Sequence, residues 1–114
     1  MADYLVLTLD VTDLDRQTEF WCAALGYRHE GGAGQYRALV DPAGRSPKML
    51  LQQVSEPKTA KNRLHIDLHV TDVEAEVRRL EGLGATWVGR VDQFGICWIV
   101  LNDPEGNELC VVPS

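Results

Sequence analysis

Three titratable side chains alternate with aliphatic ones in one short segment of this 114-residue chain. Residues 65–70 read His-Ile-Asp-Leu-His-Val, and residues two apart on a β-strand share a face. His65, Asp67 and His69 would therefore lie together, and such a group marks a candidate site for proton transfer or ligand binding. The alternative is hydrogen bonding at a strand edge, at a linker or in a dimer contact. For His69, near the strand end, that structural role is favoured.

An internal repeat organises the chain around this segment. Residues 9–14 read Leu-Asp-Val-Thr-Asp-Leu, and residues 68–73 read Leu-His-Val-Thr-Asp-Val. Further along, Ala-Leu-Gly at 24–26 corresponds to Gly-Leu-Gly at 82–84, and Asp-Pro-x-Gly occurs at 41–44 and 103–106. The matches keep the same order, so the sequence predicts two copies of one module.

Each copy is predicted to contain a strand, a helix and three further strands. Capping boxes begin the helices, with Thr12 and Asp15 in the first copy and Thr71 and Glu74 in the second. Glycines that suit left-handed C-caps end them. These glycines are Gly26 and Gly84. The predicted strands are 4–11, 27–30, 36–40 and 48–54 in the first copy, and the one containing 65–70, 86–91, 96–102 and 108–112 in the second.

The two copies define the domain organisation. Each Asp-Pro-x-Gly segment has type I turn chemistry and is predicted to join the last two strands of its copy as a hairpin. We expect a single domain over 1–114, with module one at 1–55, a polar linker at 56–63 and module two at 64–114. Modules of this size rarely fold alone, so the two are expected to pack on each other or on a second chain.

Composition excludes several classes of function. The net charge is −6, so nucleic acid is not an expected partner. The 3 cysteines form no close pair, which favours free thiols in a reducing compartment. The N-terminus has no targeting pattern, and no apolar stretch approaches the ~20 residues that span a bilayer. The sequence therefore predicts a cytoplasmic protein without a membrane partner.

Three segments together resemble the vicinal oxygen chelate superfamily, which includes glyoxalase I, extradiol dioxygenases, fosfomycin-resistance enzymes and bleomycin-resistance proteins. They are Val-Thr-Asp-Leu at 11–14 leading to Phe-Trp-Cys-Ala-Ala-Leu-Gly-Tyr at 20–27, the segment 65–72, and Trp-Ile-Val-Leu-Asn-Asp-Pro-Glu-Gly-Asn-Glu-Leu at 98–109. The chain is most similar to small glyoxalase-like proteins of unassigned activity. The resemblance implies an α+β fold in which two tandem βαβββ modules form a curved mixed-sheet cup.

The resemblance also implies where a divalent metal would bind. Catalytic members take ligands from the first and last strands of both modules, and the corresponding residues here are Val6, Gln52, His65 and Cys110. The ligand position on the last strand of module one lies between Leu50 and Gln52, and Gln52 is the only residue there with a side-chain atom that can bind a metal. Val6 cannot bind a metal, and Cys110 stands where metal-dependent members usually have Glu. This set favours a protein without a resident cofactor, and a divalent metal held by His65, Gln52 and Cys110 is the alternative.

The predicted cup has a polar set and an aromatic set of candidate ligand contacts. Tyr36 and Trp98 precede their turns by the same spacing, so we expect them to form flat walls for a planar or apolar ligand. The alternative is that they fill the interior. The full substrate-binding set is Thr8, Asp10, Tyr36, Gln52, His69, Trp98 and Cys110, with Cys110 favoured as a buried thiol. Phe20 and Trp21 are expected in the core, and Trp87 and Phe94 at a pocket rim or lid.

Three functions stay open from the sequence. The first is binding of a small, planar or apolar organic molecule, for sequestration or resistance. The second is a metal-dependent lyase, isomerase or dioxygenase, with His65 as metal anchor or general base and Asp67 orienting it or sharing in proton transfer. The third is a structural or interaction domain, in which the polar face of 65–69 lies in a homodimer contact.

Overall fold

The computed structural model describes all 114 residues, and the chain divides into two compact units, Met1–Pro57 and Lys58–Ser114. The first unit contains β1 (Val6–Val11), α1 (Leu14–Leu25), β2 (Arg28–Gly31), β3 (Tyr36–Val40) and β4 (Lys48–Gln53). The second contains β5 (Ile66–Val70), α2 (Val73–Leu83), β6 (Thr86–Gln93), β7 (Ile96–Asn102) and β8 (Glu108–Pro113). Neither helix is long and apolar enough to cross a membrane.

Both units have the same sheet topology. The strand order is β1-β4-β3-β2 in one 4-stranded sheet and β5-β8-β7-β6 in the other. The first strand of each unit pairs in parallel with the last, and the other pairings are antiparallel. The parallel pair is possible because the helix carries the chain back across the sheet. The α+β fold class with two βαβββ modules and mixed sheets is therefore confirmed.

The strand bounds differ from the predicted ones at a few ends. β1 begins at Val6 rather than at residue 4, and β6 continues to Gln93 instead of ending at 91. The extension of β6 follows from its pairing with β7, in which Gln93 lies opposite Ile96. Only Phe94 and Gly95 then connect the two strands, with φ of 54° and 74°. Two successive positive φ values are typical of a type I′ hairpin turn.

The helix N-caps lie one residue beyond the predicted ones. Asp13, not Thr12, caps α1 by accepting from the Arg16 N–H at 3.1 Å. Asp72, not Thr71, caps α2 by accepting from the Ala75 N–H at 3.0 Å. The capping-box prediction was wrong because the adjacent aspartate carries a full negative charge, which interacts more favourably with the helix N-terminus than a hydroxyl does.

The helix C-caps are as predicted. Gly26 and Gly84 both adopt the left-handed conformation at the ends of α1 and α2. The Gly26 N–H donates to the Cys22 carbonyl. Glycine suits these positions because a Cβ atom is disfavoured at positive φ.

The apolar faces of the sheets pack against the helices. In the first unit, Phe20 and Trp21 of α1 are buried with Leu39 and Leu51 of the sheet. The two aromatic rings meet edge to face, with centroids 5.3 Å apart. Their predicted core placement is confirmed. In the second unit the buried residues include Val77, Leu80, Ile99, Leu101, Leu109 and Val111.

Both Asp-Pro-x-Gly segments form the predicted turns between the last two strands. The Gly44 N–H donates to the Asp41 carbonyl at 2.9 Å, and the Gly106 N–H donates to the Asp103 carbonyl at 3.0 Å. The Asp103 side chain also accepts from the Asn107 N–H and from Asn107 Nδ2, each at 2.9 Å. This second turn is buried, since Asp103 is 2% exposed. It holds β7 and β8 in register beside the candidate site.

Candidate functional site

One face of the second sheet collects the polar residues that the sequence singled out. In the parallel pairing of β5 with β8, Asp67 lies opposite Cys110 and His69 opposite Val112. In the antiparallel pairing of β7 with β8, Val100 lies opposite Cys110. The residues on this face are His65, Asp67, His69, Ile96, Trp98, Val100, Glu108, Cys110 and Val112. The opposite face carries the aliphatic residues that pack on α2.

His65 and Asp67 form a hydrogen-bonded pair on this face. His65 Nδ1 lies 2.9 Å from Asp67 Oδ1, and the two side chains are 39% and 44% exposed. A carboxylate only accepts, so Nδ1 carries the hydrogen and donates it. In the neutral imidazole, Nε2 is then left with its lone pair, as a general base or a metal ligand requires. His65 itself lies one residue before the start of β5.

Cys110 lies against this pair as a protonated thiol. It is 5% exposed, and burial raises its pKa to about 11, with further increases from the Asp67 charge and from a hydrogen bond to Asp67. At neutral pH the thiolate fraction is therefore negligible, so Cys110 is not an activated nucleophile. The favoured sequence interpretation, a buried thiol, agrees with this placement.

A cavity of about 400 Å³ lies over the same face. Its floor is apolar and consists of Ile96, Trp98, Val100 and Val112. Its polar end consists of Lys61, His65, Asp67, His69, Glu108 and Cys110. A cavity of this size can take a small organic molecule, with the apolar floor supplying contact area and the polar end supplying orientation.

Four predicted contacts lie in the first unit and form their own group. Asp10 of β1 lies opposite Gln52 of β4, and Gln52 lies opposite Tyr36 of β3. Thr8 is two residues from Asp10 and on the same face of β1. The structure therefore brings Thr8, Asp10, Tyr36 and Gln52 to one face of the first sheet, and His65, Asp67, His69, Trp98 and Cys110 to one face of the second.

The strand register changes the assignment of Gln52. The repeat makes Thr8 the counterpart of Asp67. Thr8 lies opposite Leu50, whereas Asp67 lies opposite Cys110, so Leu50 rather than Gln52 corresponds to Cys110. Leu50 has no donor atom. Gln52 corresponds instead to Val112, which lies opposite His69. The four positions expected to hold a metal are thus Val6, Leu50, His65 and Cys110, of which only the last two can bind one.

Asp67 supplies a third donor that the sequence analysis did not assign to a metal. The ligating atoms of His65, Asp67 and Cys110 all lie within 4.8 Å of one another. Nitrogen, oxygen and sulfur donors together suit Zn²⁺, whereas Mn²⁺ and Mg²⁺ prefer oxygen. The signal for Asp67 was present in the alternation of 65–69, but its proximity to Cys110 depends on strand pairing.

The sequence analysis also missed part of the cavity wall. Lys61 was assigned to the linker, and Ile96, Val100, Glu108 and Val112 were placed on strands without a role at the site. The alternation of side chains along β7 and β8 could have predicted that Ile96, Val100, Glu108 and Val112 line the cavity. Once Trp98 and Cys110 are assigned to one face, residues two positions away must share it.

Comparison with known proteins assigns the family. Residues 6–112 match the family model of the glyoxalase-like domain. The chain belongs to this family. The resemblance to the vicinal oxygen chelate superfamily is therefore confirmed. No curated protein sequence matches this glyoxalase-like chain.

Solved structures share the fold of this glyoxalase-like protein at low sequence identity. A glyoxalase/bleomycin resistance protein/dioxygenase family enzyme from Burkholderia phytofirmans PsJN is 18% identical, with a TM-score of 0.78 and coverage of 98% of each chain. The fosfomycin resistance protein FosX from Mesorhizobium loti is 17% identical, with a TM-score of 0.75 and coverage of 100% of this chain and 94% of its own.

A third solved structure contains a metal. It is a mutant FosX from Listeria monocytogenes in complex with Mn(II) and 1S,2S-dihydroxypropylphosphonic acid. It is 17% identical, with a TM-score of 0.80 and coverage of 98% of this chain and 90% of its own. At these identities the likeness establishes the fold alone.

Proposed function

We propose that this glyoxalase-like protein binds a small organic molecule with a planar, apolar part on the β5-β8-β7 face of its second sheet. The observation that carries the proposal is the cavity of about 400 Å³ with an apolar floor at one side and the His65–Asp67 pair at the other. The indole of Trp98 offers a flat surface for an aromatic ring. The imidazole Nε2 of His65 is left to accept a hydrogen bond from the ligand.

Sequestration is the role that the side chains of this cavity support best. Retaining a compound requires shape and a few polar contacts, and it requires no activated nucleophile. Cys110 is protonated at neutral pH, since its pKa is raised to about 11. We therefore propose a binding or resistance protein, with the His65–Asp67 pair orienting the bound molecule.

The neutral aromatic amide 2-naphthamide tests this proposal by isothermal titration calorimetry. We expect Trp98→Ala to weaken binding about ten-fold, because ring stacking and apolar contact are lost together. His65→Ala is expected to weaken it by a smaller factor. Trp87→Ala is the matched control, since Trp87 is half-exposed on β6 and does not line the cavity. Equal affinity for the wild type, Trp98→Ala and His65→Ala would place any binding elsewhere and reject the proposal.

A second candidate is a metal-dependent lyase, isomerase or dioxygenase. It is favoured by the His65, Asp67 and Cys110 donor atoms, which lie within 4.8 Å of one another. These residues fit Zn²⁺ better than the Mn(II) bound by the Listeria FosX relative. They would hold the ion, which would supply Lewis-acid chemistry at the site. Cys110 would have to lose its proton on binding, so occupancy of this site would fall as the pH is lowered.

A further inference from the structure

The segment of residues 58–65, which we call the strap, is held beside the second sheet by one carboxylate. Glu108 Oε1 accepts from Lys58 Nζ at 3.0 Å, and Glu108 Oε2 accepts from the Asn62 N–H at 3.0 Å. The Asn62 side chain extends the contact by donating to Asn107 Oδ1 at 3.3 Å. These groups are partly buried, which strengthens the hydrogen bonds. The strap is therefore anchored at Lys58 and at Asn62 despite its lack of regular secondary structure.

Anchoring the strap places two cations at the candidate site. Lys61 lines the cavity over the sheet, and a second cavity of about 530 Å³ is lined by Ala60, Lys61, Asn62, Arg63 and His65. Lys61 and His65 are common to both cavities. The two spaces are thus neighbours, one with an apolar floor and the other with a basic wall.

Only one of the two carboxylates at the site is neutralised by a cation within the chain. Glu108 forms an ion pair with Lys58, whereas Asp67 accepts a hydrogen bond from His65 and keeps its charge. Lys61 and Arg63 are exposed and form no ion pair. The three cations Lys58, Lys61 and Arg63 outnumber the two carboxylates Asp67 and Glu108, so the charge at the neighbouring cavities is positive in a chain whose net charge is −6.

We propose that the ligand is an amphipathic organic anion, with its apolar body on the Trp98 floor and its carboxylate, phosphate or phosphonate group beside Lys61 and Arg63. This inference rests on the proposed function and adds the chemical class of the ligand. A negative net charge repels anions at long range, so a local pair of unpaired cations is needed to receive one. Because Lys61 and Arg63 are exposed, each ion pair with the ligand adds little binding free energy and weakens as the salt concentration rises.

Matched ligands in the unmodified protein give the first test. Calorimetry compares 2-naphthoate, 2-naphthyl phosphate, neutral 2-naphthamide and cationic 2-naphthylmethylamine. We expect both anions to bind more tightly than the amide, by about two- to five-fold per ion pair, and the amine to bind most weakly. Raising the salt concentration is expected to remove the advantage of the anions and leave amide binding unchanged.

Variants of the strap give the second test. Lys61→Gln and Arg63→Gln are each expected to weaken 2-naphthoate about two- to five-fold relative to 2-naphthamide, and Lys61→Arg is expected to retain the anion preference. Arg78→Gln, which removes an exposed cation from α2, is the matched control. The ligand comparison in the wild type does not depend on how any variant folds.

The outcomes separate this inference from the proposed function. If the amide binds as tightly as the anions and Trp98→Ala weakens all of them, the cavity is correct and the anionic class is wrong. Preferential binding of the amine would also contradict an anionic ligand, because it would show that Asp67 and Glu108 dominate the charge of the cavity. If none of the four compounds binds, the proposed function fails, and this inference fails with it.

Discussion

Asp67 lies directly opposite Cys110 in the parallel pairing of β5 with β8. This pairing places a carboxylate against a buried thiol, and the Asp67 charge adds to burial in raising the pKa of Cys110 to about 11. The same pairing completes a His65, Asp67 and Cys110 group within 4.8 Å. One register thus brings the Asp67 charge against the thiol and completes a group of three metal-binding side chains.

The first prediction concerns stability at alkaline pH. The ordinary pKa of a cysteine thiol is 9.0, and that of folded Cys110 is about 11. Between these values the unfolded chain loses the proton first, so the free energy of unfolding is expected to fall as the pH rises from about 9 towards 11. Cys110→Ala lacks this thiol and is expected to show a shallower decline. Urea unfolding across this pH range measures the slope.

A cysteine elsewhere serves as the control for that slope. Burial also raises the pKa of Cys22, a residue of α1 in the first unit, but without a neighbouring carboxylate. In Cys22→Ala the free energy of unfolding is therefore expected to fall with pH almost as steeply as in the wild type. Parallel curves for the wild type and Cys110→Ala between pH 9 and 11 would contradict the raised pKa of Cys110.

The second prediction concerns metal preference. We expect the second sheet to bind Zn²⁺ more tightly than Mn²⁺, because its donor set contains nitrogen and sulfur. His65→Ala and Cys110→Ala are each expected to lower zinc affinity at least about ten-fold, and Asp67→Asn to lower it less. Competition with a chromophoric chelator measures the affinities. His29→Ala is the control because His29 bonds to the Gly31 carbonyl, away from this group. Tighter binding of Mn²⁺ would overturn the assignment.

The third prediction compares the two Asp-Pro-x-Gly turns. Asp103→Ala removes a buried carboxylate and leaves the Asn107 N–H and side-chain amide without this acceptor. We expect a loss of about 2 to 3 kcal/mol in the free energy of unfolding, because hydrogen bonds to a charged, buried group are among the stronger ones. Urea denaturation measures it.

Asp41→Ala is the matched comparison for the buried turn. The Asp41 carboxylate accepts from the Ala43, Arg45 and Ser46 N–H groups, which lowers its pKa, but these bonds are exposed. Water can replace them, so we expect a smaller loss of stability than for Asp103→Ala. An equal or larger loss at Asp41 would show that burial does not distinguish the two turns.

The fourth prediction compares a glycine that caps a helix with a glycine inside a helix. Gly26 caps α1 at φ 68°, and Gly26→Ala is expected to destabilise the protein by about 1 kcal/mol, because a Cβ atom is disfavoured there. Gly82 lies inside α2, and a Cβ atom added to it meets nothing within 4 Å. Gly82→Ala is therefore expected to stabilise by about 0.5 to 1 kcal/mol. Thermal unfolding gives both signs, and a shared sign would contradict the assigned backbone conformations.

The sequence by itself determined the features that depend on neighbours along the chain. The repeat, the alternation of His65 with Asp67, the left-handed glycines and the turns at Asp41 and Asp103 all follow from contacts within a few residues. Such patterns predict the face of a strand on which a side chain lies, because the strand period and the turn geometry are local properties of the backbone. They also identified the family before any strand pairing was known.

The tertiary structure alone decided which faces meet and in what register. Asp67 lies opposite Cys110, and Thr8 opposite Leu50, although the two pairs are 43 and 42 positions apart along the chain. A shift of two residues, which preserves every alternation pattern, would have placed Gln52 at the position that Leu50 holds. Lys61 lines the cavity from a strap that Glu108 holds at Lys58 and Asn62. Register across a helix crossover is set by packing of the whole module, and no local sequence pattern specifies it.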